Sequence, residues 1–216
     1  MYTIEEQKNG PVEPLNMWKS IWLHPRKTVR YAVQHKTWRF VIIIALISGI
    51  FTALDQASSN DLGDSMGMGT IALIALLAGP ILGVISLYIG SGVLHLLSKM
   101  FGGRGTFAHT KMAYTVSNLI LIVLGFVWLP DLLINGRGMF VADYDFSIFQ
   151  VIWLVVSLFL NFALGVWATV SMIGAIAEVH ELAIWKAVLV VLLPVTLLII
   201  FIFTIVMLTV PFMLFS

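Results

Sequence analysis

Residues 70–97 read TIALIALLAGPILGVISLYIGSGVLHLL, a stretch that contains no Asp, Glu, Lys or Arg. A hydrocarbon core of about 30 Å is crossed by ~20 helical residues, each of which advances the chain by about 1.5 Å. The stretch is longer than that. It therefore predicts a transmembrane helix that tilts, bends or protrudes from the membrane.

Four further apolar runs flank this stretch, at about residues 38–54, 114–133, 148–177 and 187–214. The chain of 216 residues is 60% hydrophobic and 11% charged, with a mean hydropathy of +1.00. Soluble domains carry about 25% charged residues. The sequence therefore predicts an all-α polytopic membrane protein with five transmembrane helices.

The basic residues predict the orientation of these helices. Seven of the twelve Lys and Arg residues lie between Lys8 and Arg39, three lie in the second connection, and Lys186 lies in the fourth. The first connection holds three aspartates and no basic residue, and the third, which is expected to begin near Asp131, holds only Arg137. Cytoplasmic loops are enriched in Lys and Arg. We therefore predict a cytoplasmic N-terminus and a C-terminus outside.

The region before the first span divides into two parts. Residues 1–14 are polar and interrupted by Gly and Pro, which predicts a tail without regular structure. Residues 15–34 carry four apolar side chains at helical spacing, with basic residues on other faces: Trp18, Ile21, Trp22 and Val29. Such a basic amphipathic helix suits the plane of the membrane surface or packs on the cytoplasmic ends of the bundle. We predict a cytoplasmic region over 1–37 and a five-helix domain over 38–216.

The predicted second span carries a stripe of small residues, spaced four, three and four positions apart: Gly79, Gly83, Ser86 and Gly90. Small side chains let helices approach closely in membranes. The stripe predicts either an interface with a partner or second copy, or tight packing within one bundle, and the second alternative is favoured. Pro80 predicts a bend, because proline removes a backbone donor and clashes with the preceding turn.

The predicted fourth span places Asn161 near its middle and Gly165 one turn later. An amide at bilayer depth is expected to bond to a neighbouring helix, with a contribution of about 0.6–2 kcal/mol. We therefore interpret Asn161 as structural. Together with Gly165 it forms a second candidate for helix packing or partner binding.

Ionisable residues gather at the predicted inner ends of two spans. His95 lies near the end of the second span, and Glu178, His180 and Glu181 lie at the end of the fourth. These residue types bind divalent ions, but their spacing matches no HExxH or comparable pattern. A cap of salt bridges is favoured over a metal site. Three basic residues of the neighbouring connection are available for it: Lys99, Arg104 and Lys111.

No motif for catalysis or cofactor binding stands out. The loop Gly102-Gly103-Arg104-Gly105 lacks the GxxxxGK[ST] phosphate-binding pattern, so Gly102 is interpreted as a helix stop and Thr106 as the N-cap of the next helix. The chain has no cysteine, which excludes disulfides and thiolate chemistry. We predict no enzymatic activity, no cofactor and no nucleic-acid partner.

Three stretches resemble the Yip1 family of membrane proteins in its bacterial form. Residues 17–33 read MWKSIWLHPRKTVRYAV, residues 101–114 read FGGRGTFAHTKMAY, and residues 174–194 read GAIAEVHELAIWKAVLVVLLP. The resemblance implies a compact, non-catalytic, multi-pass protein of the bacterial plasma membrane. Eukaryotic relatives act in vesicle trafficking with Rab-type GTPases, and bacterial relatives are linked to ABC-type export or resistance systems.

Three hypotheses about function follow. The leading one is an accessory or scaffold protein that binds another membrane protein, such as an ABC-type exporter, or forms a homo-oligomer. The alternative is a small transporter or channel with helices broken at Pro80 and Pro194. The third is a membrane-embedded hydrolase or metalloenzyme that uses His95, Glu178 and His180.

Overall fold

The structure, a computed structural model, describes residues 15–214, with side-chain surroundings up to residue 209. Within residues 15–214 every regular element is a helix. The bounds are α1 Met17–Leu23, α2 Pro25–His35, α3 Trp38–Ser59, α4 Met68–Met100, α5 Phe107–Asn135, α6 Ile148–His180 and α7 Ile184–Leu214. Helices α3 to α7 are long and apolar enough to cross a membrane, which confirms the predicted five-span fold.

The connections gather at two ends of the bundle. We call the end with α1, α2 and the α4–α5 and α6–α7 connections the inner end, and the end with the α3–α4 and α5–α6 connections the outer end. The assignment of the inner end to the cytoplasm stays a prediction. The predicted tail of residues 1–14 lies outside the described residues.

Helices α1 and α2 pack on the inner end of the bundle. The backbone turns at His24, because a residue that precedes proline avoids the helical region, and Pro25 then begins α2. Ile21 and Val29 are fully buried, and both short helices contact α5 while α2 also contacts α6. The segment expected over 15–34 is therefore two helices, and packing on the bundle accounts for these apolar residues.

A close backbone contact joins α3 to α4. Gly49 of α3 faces Gly79 and Gly83 of α4, and a β-carbon added to Gly83 would overlap the carbonyl oxygen of Ala45 and lie 2.8 Å from the Cα of Gly49. The approach requires residues without side chains at the crossing. Helix α4 continues through Pro80 without a break.

The two outer connections also contact each other. The guanidinium of Arg137 donates a hydrogen bond of 2.8 Å to the carbonyl oxygen of Gly63, and the ring of Phe140 is buried with Ala57 and Ile71. These contacts hold the α3–α4 hairpin against the α5–α6 hairpin at the outer end.

Asp131 lies inside α5 and not in the outer connection where the sequence placed it. Its carboxylate is 4% exposed and accepts hydrogen bonds from the Trp153 indole at 2.7 Å and the Ser157 hydroxyl at 2.8 Å, both on α6. The connection begins later than predicted, because donors on α6 satisfy the carboxylate and allow the helix to reach Asn135.

Replacing Asp131 by alanine is expected to lower the free energy of unfolding by about 1–2 kcal/mol, because two donors on α6 lose their acceptor. Thermal unfolding of the purified protein in one detergent measures the effect. Asp143→Ala is the matched control, since Asp143 is an exposed residue of the α5–α6 connection. Equal shifts in the two variants would contradict the role given to Asp131.

The outer half of α7, residues 195–209, stands apart from the other helices. Every one of these residues is exposed, whereas Ala187 and Val190 near the start of α7 are fully buried. A cavity of about 430 Å³ lies between α4, α5, α6 and α7, with Asn118, Gly165 and Pro194 among its lining residues. The last span therefore docks by its inner half only.

Candidate functional site

A buried polar cluster joins α4, α5 and α6 at the inner end. The hydroxyl of Thr110 lies 3.0 Å from Nδ1 of His95 and 2.8 Å from Nε2 of His180, and the two imidazole ring centres are 5.4 Å apart. Thr110 and His180 are fully buried. The sequence had grouped His95 and His180 in one candidate polar cluster with Glu178 and Glu181, but it had not singled out Thr110.

The glycines of the α4–α5 connection make room for the His180 ring. A β-carbon added to Gly103 would lie 2.8 Å from Nδ1 of His180, and one added to Gly105 would lie 3.0 Å from the same atom. The backbone N–H of Arg104 donates to the carbonyl oxygen of His180 at 3.0 Å. The Gly-rich loop therefore packs closely against the end of α6.

Local capping signals at this connection agree with the sequence. Gly102 has φ of +87°, a left-handed conformation that glycine adopts without strain, and it follows the end of α4. The hydroxyl of Thr106 accepts a hydrogen bond from the backbone N–H of His109 at the start of α5. Both features were predicted, and both are confirmed.

The hydrogen bonds of the cluster indicate a structural junction. The hydroxyl of Thr110 also lies 3.1 Å from the carbonyl oxygen of Thr106, so its single proton has three neighbouring acceptors: this carbonyl and the two imidazoles. The tautomers of the two imidazoles set which ring nitrogens donate to the Thr110 oxygen. Among the described residues no three His, Asp or Glu side chains converge in the manner of metal ligands. The cluster ties three spans together.

The two glutamates of the predicted cluster face different arginines. Glu178 accepts a hydrogen bond of 2.9 Å from Nε of Arg30 on α2, in a pair that is largely shielded from solvent. Glu181 lies 3.8 Å from an exposed guanidinium nitrogen of Arg104. The sequence had proposed Arg104 as a partner but had missed Arg30. Glu178 therefore belongs to the docking contact of α2 and not to a ligand set with His95 and His180.

The structure gives the small-residue stripe several different environments. Gly79 and Gly83 are covered by α3 of the same chain, and Gly90 packs against the ring of Tyr114, which would lie 2.8 Å from an added β-carbon. Ser86 is exposed and lines a smaller cavity between α3, α4 and α5. An interface of this stripe with another chain stays a prediction.

Asn161 does not make the expected bond to a neighbouring helix. Its amide donates to the carbonyl oxygen of Ser157 at 2.8 Å, one turn earlier in α6, because the exposed side of α6 offers no facing helix. Gly165 has no atom within 4 Å of an added β-carbon and lines the cavity beside α7. The interhelical bond predicted for Asn161 is supplied instead by Asp131.

A comparison of the sequence with models of protein families identifies the family of this chain. The model described as the Yip1 domain matches residues 19–206, which includes α2 to α6 and most of α1 and α7. The chain belongs to the Yip1 family. No curated protein and no solved structure gives a significant match to it.

The three stretches that resemble Yip1 sequences meet at the inner end. Arg30 in the first stretch pairs with Glu178 in the third, and Gly103 and Gly105 in the second face His180 in the third. The Yip1 family is generally a non-catalytic family of membrane proteins. This protein is accordingly a multi-pass membrane protein in contact with the lipid bilayer.

Proposed function

We propose that this Yip1 protein is a non-enzymatic accessory protein of the cell membrane that binds another membrane protein through the outer half of α7. The observation that supports the proposal is the exposure of every residue from 195 to 209. In the most apolar part of α3, α4 and α5, 28–33% of residues are buried inside the chain, against 11% in α6 and 6% in α7. The last span therefore has most of its packing surface available.

The chemistry of this surface suits a transmembrane helix of a partner. Lipid tails are as apolar as leucine, so helices associate in membranes through van der Waals packing and not through a hydrophobic drive. Bulky side chains such as Ile199, Phe203 and Met207 are spaced four residues apart and offer such packing along one face of α7. The resemblance to bacterial relatives directs the search to ABC-type export or resistance systems as the partner.

A photoreactive amino acid at Phe203 tests the proposal in native membranes. The matched control position is Leu77 on α4, which is 65% exposed compared with 60% for Phe203 and lies in the outer half of its span. We expect a covalent adduct with one membrane protein of an export system from position 203 and none from position 77. Adducts with lipid alone, or the same proteins from both positions, would contradict the proposal.

One further outcome of that experiment and one separate assay distinguish the alternatives. An adduct between two copies of the chain would replace the accessory role by a homo-oligomer. The transporter alternative has weaker support, because α4 and α7 are continuous through Pro80 and Pro194, the positions at which it requires broken helices. Substrate flux into liposomes that contain only the purified protein would revive it.

A further inference from the structure

A second cavity, of about 380 Å³, lies at the inner end beside the start of α3. Part of its wall is apolar and comes from side chains within the spans: Val41, Ile42, Leu87 and Met112. Val33 and Ala108 also line the cavity, and the remaining side chains are basic or aromatic: Lys36, Trp38, Tyr88, His109 and Lys111. One space therefore combines positive charge with a surface that continues into the membrane region.

Lys111 is half-buried in this wall, and within residues 15–214 no carboxylate forms an ion pair with it. Its ammonium lies 4.8 Å from the ring centre of Tyr88 and 5.0 Å from that of Phe107. The acidic residues at the described inner end, Glu178 and Glu181, face arginines, and no described carboxylate pairs with Lys111. A charge withdrawn from water without a counter-ion is unfavourable. Among the described residues, the charge of Lys111 is therefore not balanced by an anion.

The surrounding backbone adds to the positive potential. Helices α3 and α5 both begin at this end, and neither carries an acidic residue in its first turn. Helix N-termini have partial positive charge that favours anions. Lys36, which precedes α3, is exposed and also makes no ion pair with a described carboxylate. Two lysines and two helix N-termini thus make the electrostatic potential at the mouth of this cavity positive.

We propose that this cavity binds an anionic phospholipid, with the phosphate between Lys36 and Lys111 and an acyl chain along Val41, Ile42 and Leu87. The positive charge selects a negative headgroup over a zwitterionic one, as in other basic pockets between transmembrane helices. The apolar wall selects a lipid over a free phosphate, because a small ion would leave that wall uncovered. This site is separate from the outer half of α7.

Native mass spectrometry of the detergent-purified full-length protein, titrated with phosphatidylglycerol, tests the proposal. Each lysine near an anionic headgroup contributes a factor of about five in affinity, so Lys36→Gln with Lys111→Gln is expected to weaken binding roughly 10- to 30-fold. The matched control is Lys19→Gln with Lys27→Gln, which removes the same charge from exposed positions of α1 and α2. Equal weakening in the two double variants would overturn the site in favour of general surface attraction.

A charge-neutral variant tests the cavity itself. Ala108 is an exposed residue of the first turn of α5 that lines the space, and Ala108→Trp fills it without a change of charge. We expect weaker binding of phosphatidylglycerol at an unchanged melting temperature. Undiminished binding would overturn the proposal. So would competition by inorganic phosphate as effective as that by phosphatidylglycerol, or equal affinity for phosphatidylcholine.

Discussion

The Gly83→Leu variant is expected to lose the native bundle, with a reduction in the free energy of unfolding of about 3 kcal/mol or more. Overpacking of a well-filled interior usually costs about 1–3 kcal/mol, and the larger values arise where neighbours cannot move aside. At Gly83 the obstruction is backbone, since an added β-carbon would overlap the Ala45 carbonyl and lie 2.9 Å from the amide nitrogen of Gly49. Helices α3 and α4 would have to separate.

Gly92→Leu is the control for this variant. Gly92 lies in the same helix, and nothing approaches within 4 Å of a β-carbon built on it. We expect a change below about 1 kcal/mol, because leucine also has the higher helix propensity. Thermal unfolding and the yield of monodisperse protein in one detergent measure both variants. If Gly83→Leu melts at the temperature of the parent protein, the close α3–α4 crossing is wrong.

Reversing the charge of Arg30 is expected to release α2 from the bundle. Breaking a buried ion pair costs about 3–5 kcal/mol, and partial exposure lowers the effect, so we expect about 2–3 kcal/mol for Arg30→Glu. The side chains of Arg30 and Glu178 are 28% and 16% exposed. In the variant, two carboxylates would face each other where one guanidinium now satisfies Glu178.

The absence of native cysteines provides a direct measurement of this release. Ala32 is fully buried in α2, so a cysteine at that position reacts with a maleimide only when α2 leaves the bundle. We expect faster labelling in Arg30→Glu and recovery of protection when Glu178→Arg restores an opposite pair. Arg26→Glu has the same charge change at an exposed position of α2 and should remain protected. A labelling rate that is the same with and without the charge changes at positions 30 and 178 would show that other contacts hold α2 on the bundle.

The spans were predictable because hydrocarbon permits few alternatives. Every backbone donor and acceptor in lipid must be satisfied within the segment, so a long apolar run in this chain indicates a helix. The ends were less predictable. Helix α3 continues to Ser59 and α5 begins at Phe107, beyond the apolar runs, because hydrogen bonds and caps extend a helix after its hydrophobic pattern stops.

The candidate site was predictable only where its causes are local. Gly102 and Thr106 act within one or two residues of the helix ends that they define. The contact of Arg30 with Glu178 joins positions 148 residues apart, and it depends on how α2 is docked and how α6 is rotated. The composition did indicate that these glutamates would be paired. The described inner end has ten basic residues and two acidic residues, Glu178 and Glu181.

The surroundings of the His180 side chain could not be predicted from the spacing of residues in the sequence, for a similar reason. The sequence places Glu178 and Glu181 on one face and His180 on another if the helix continues, but α6 ends at His180 and Glu181 adopts a left-handed conformation. It does not reveal that the other face meets the Gly103-Arg104-Gly105 loop and Thr110. Only the packing of three spans brings these residues into contact.

The partial docking of α7 bears on the order in which the spans are assembled during synthesis. Ala187 and Val190 complete the interior near the inner end, and the following fifteen residues, from 195 to 209, add no buried position. We expect the first four spans to reach their mutual arrangement while the remainder of α7 is still being translated. A partner helix would then contact four spans that are already packed together, beside an outer half of α7 that is inserted last and that no other described span covers.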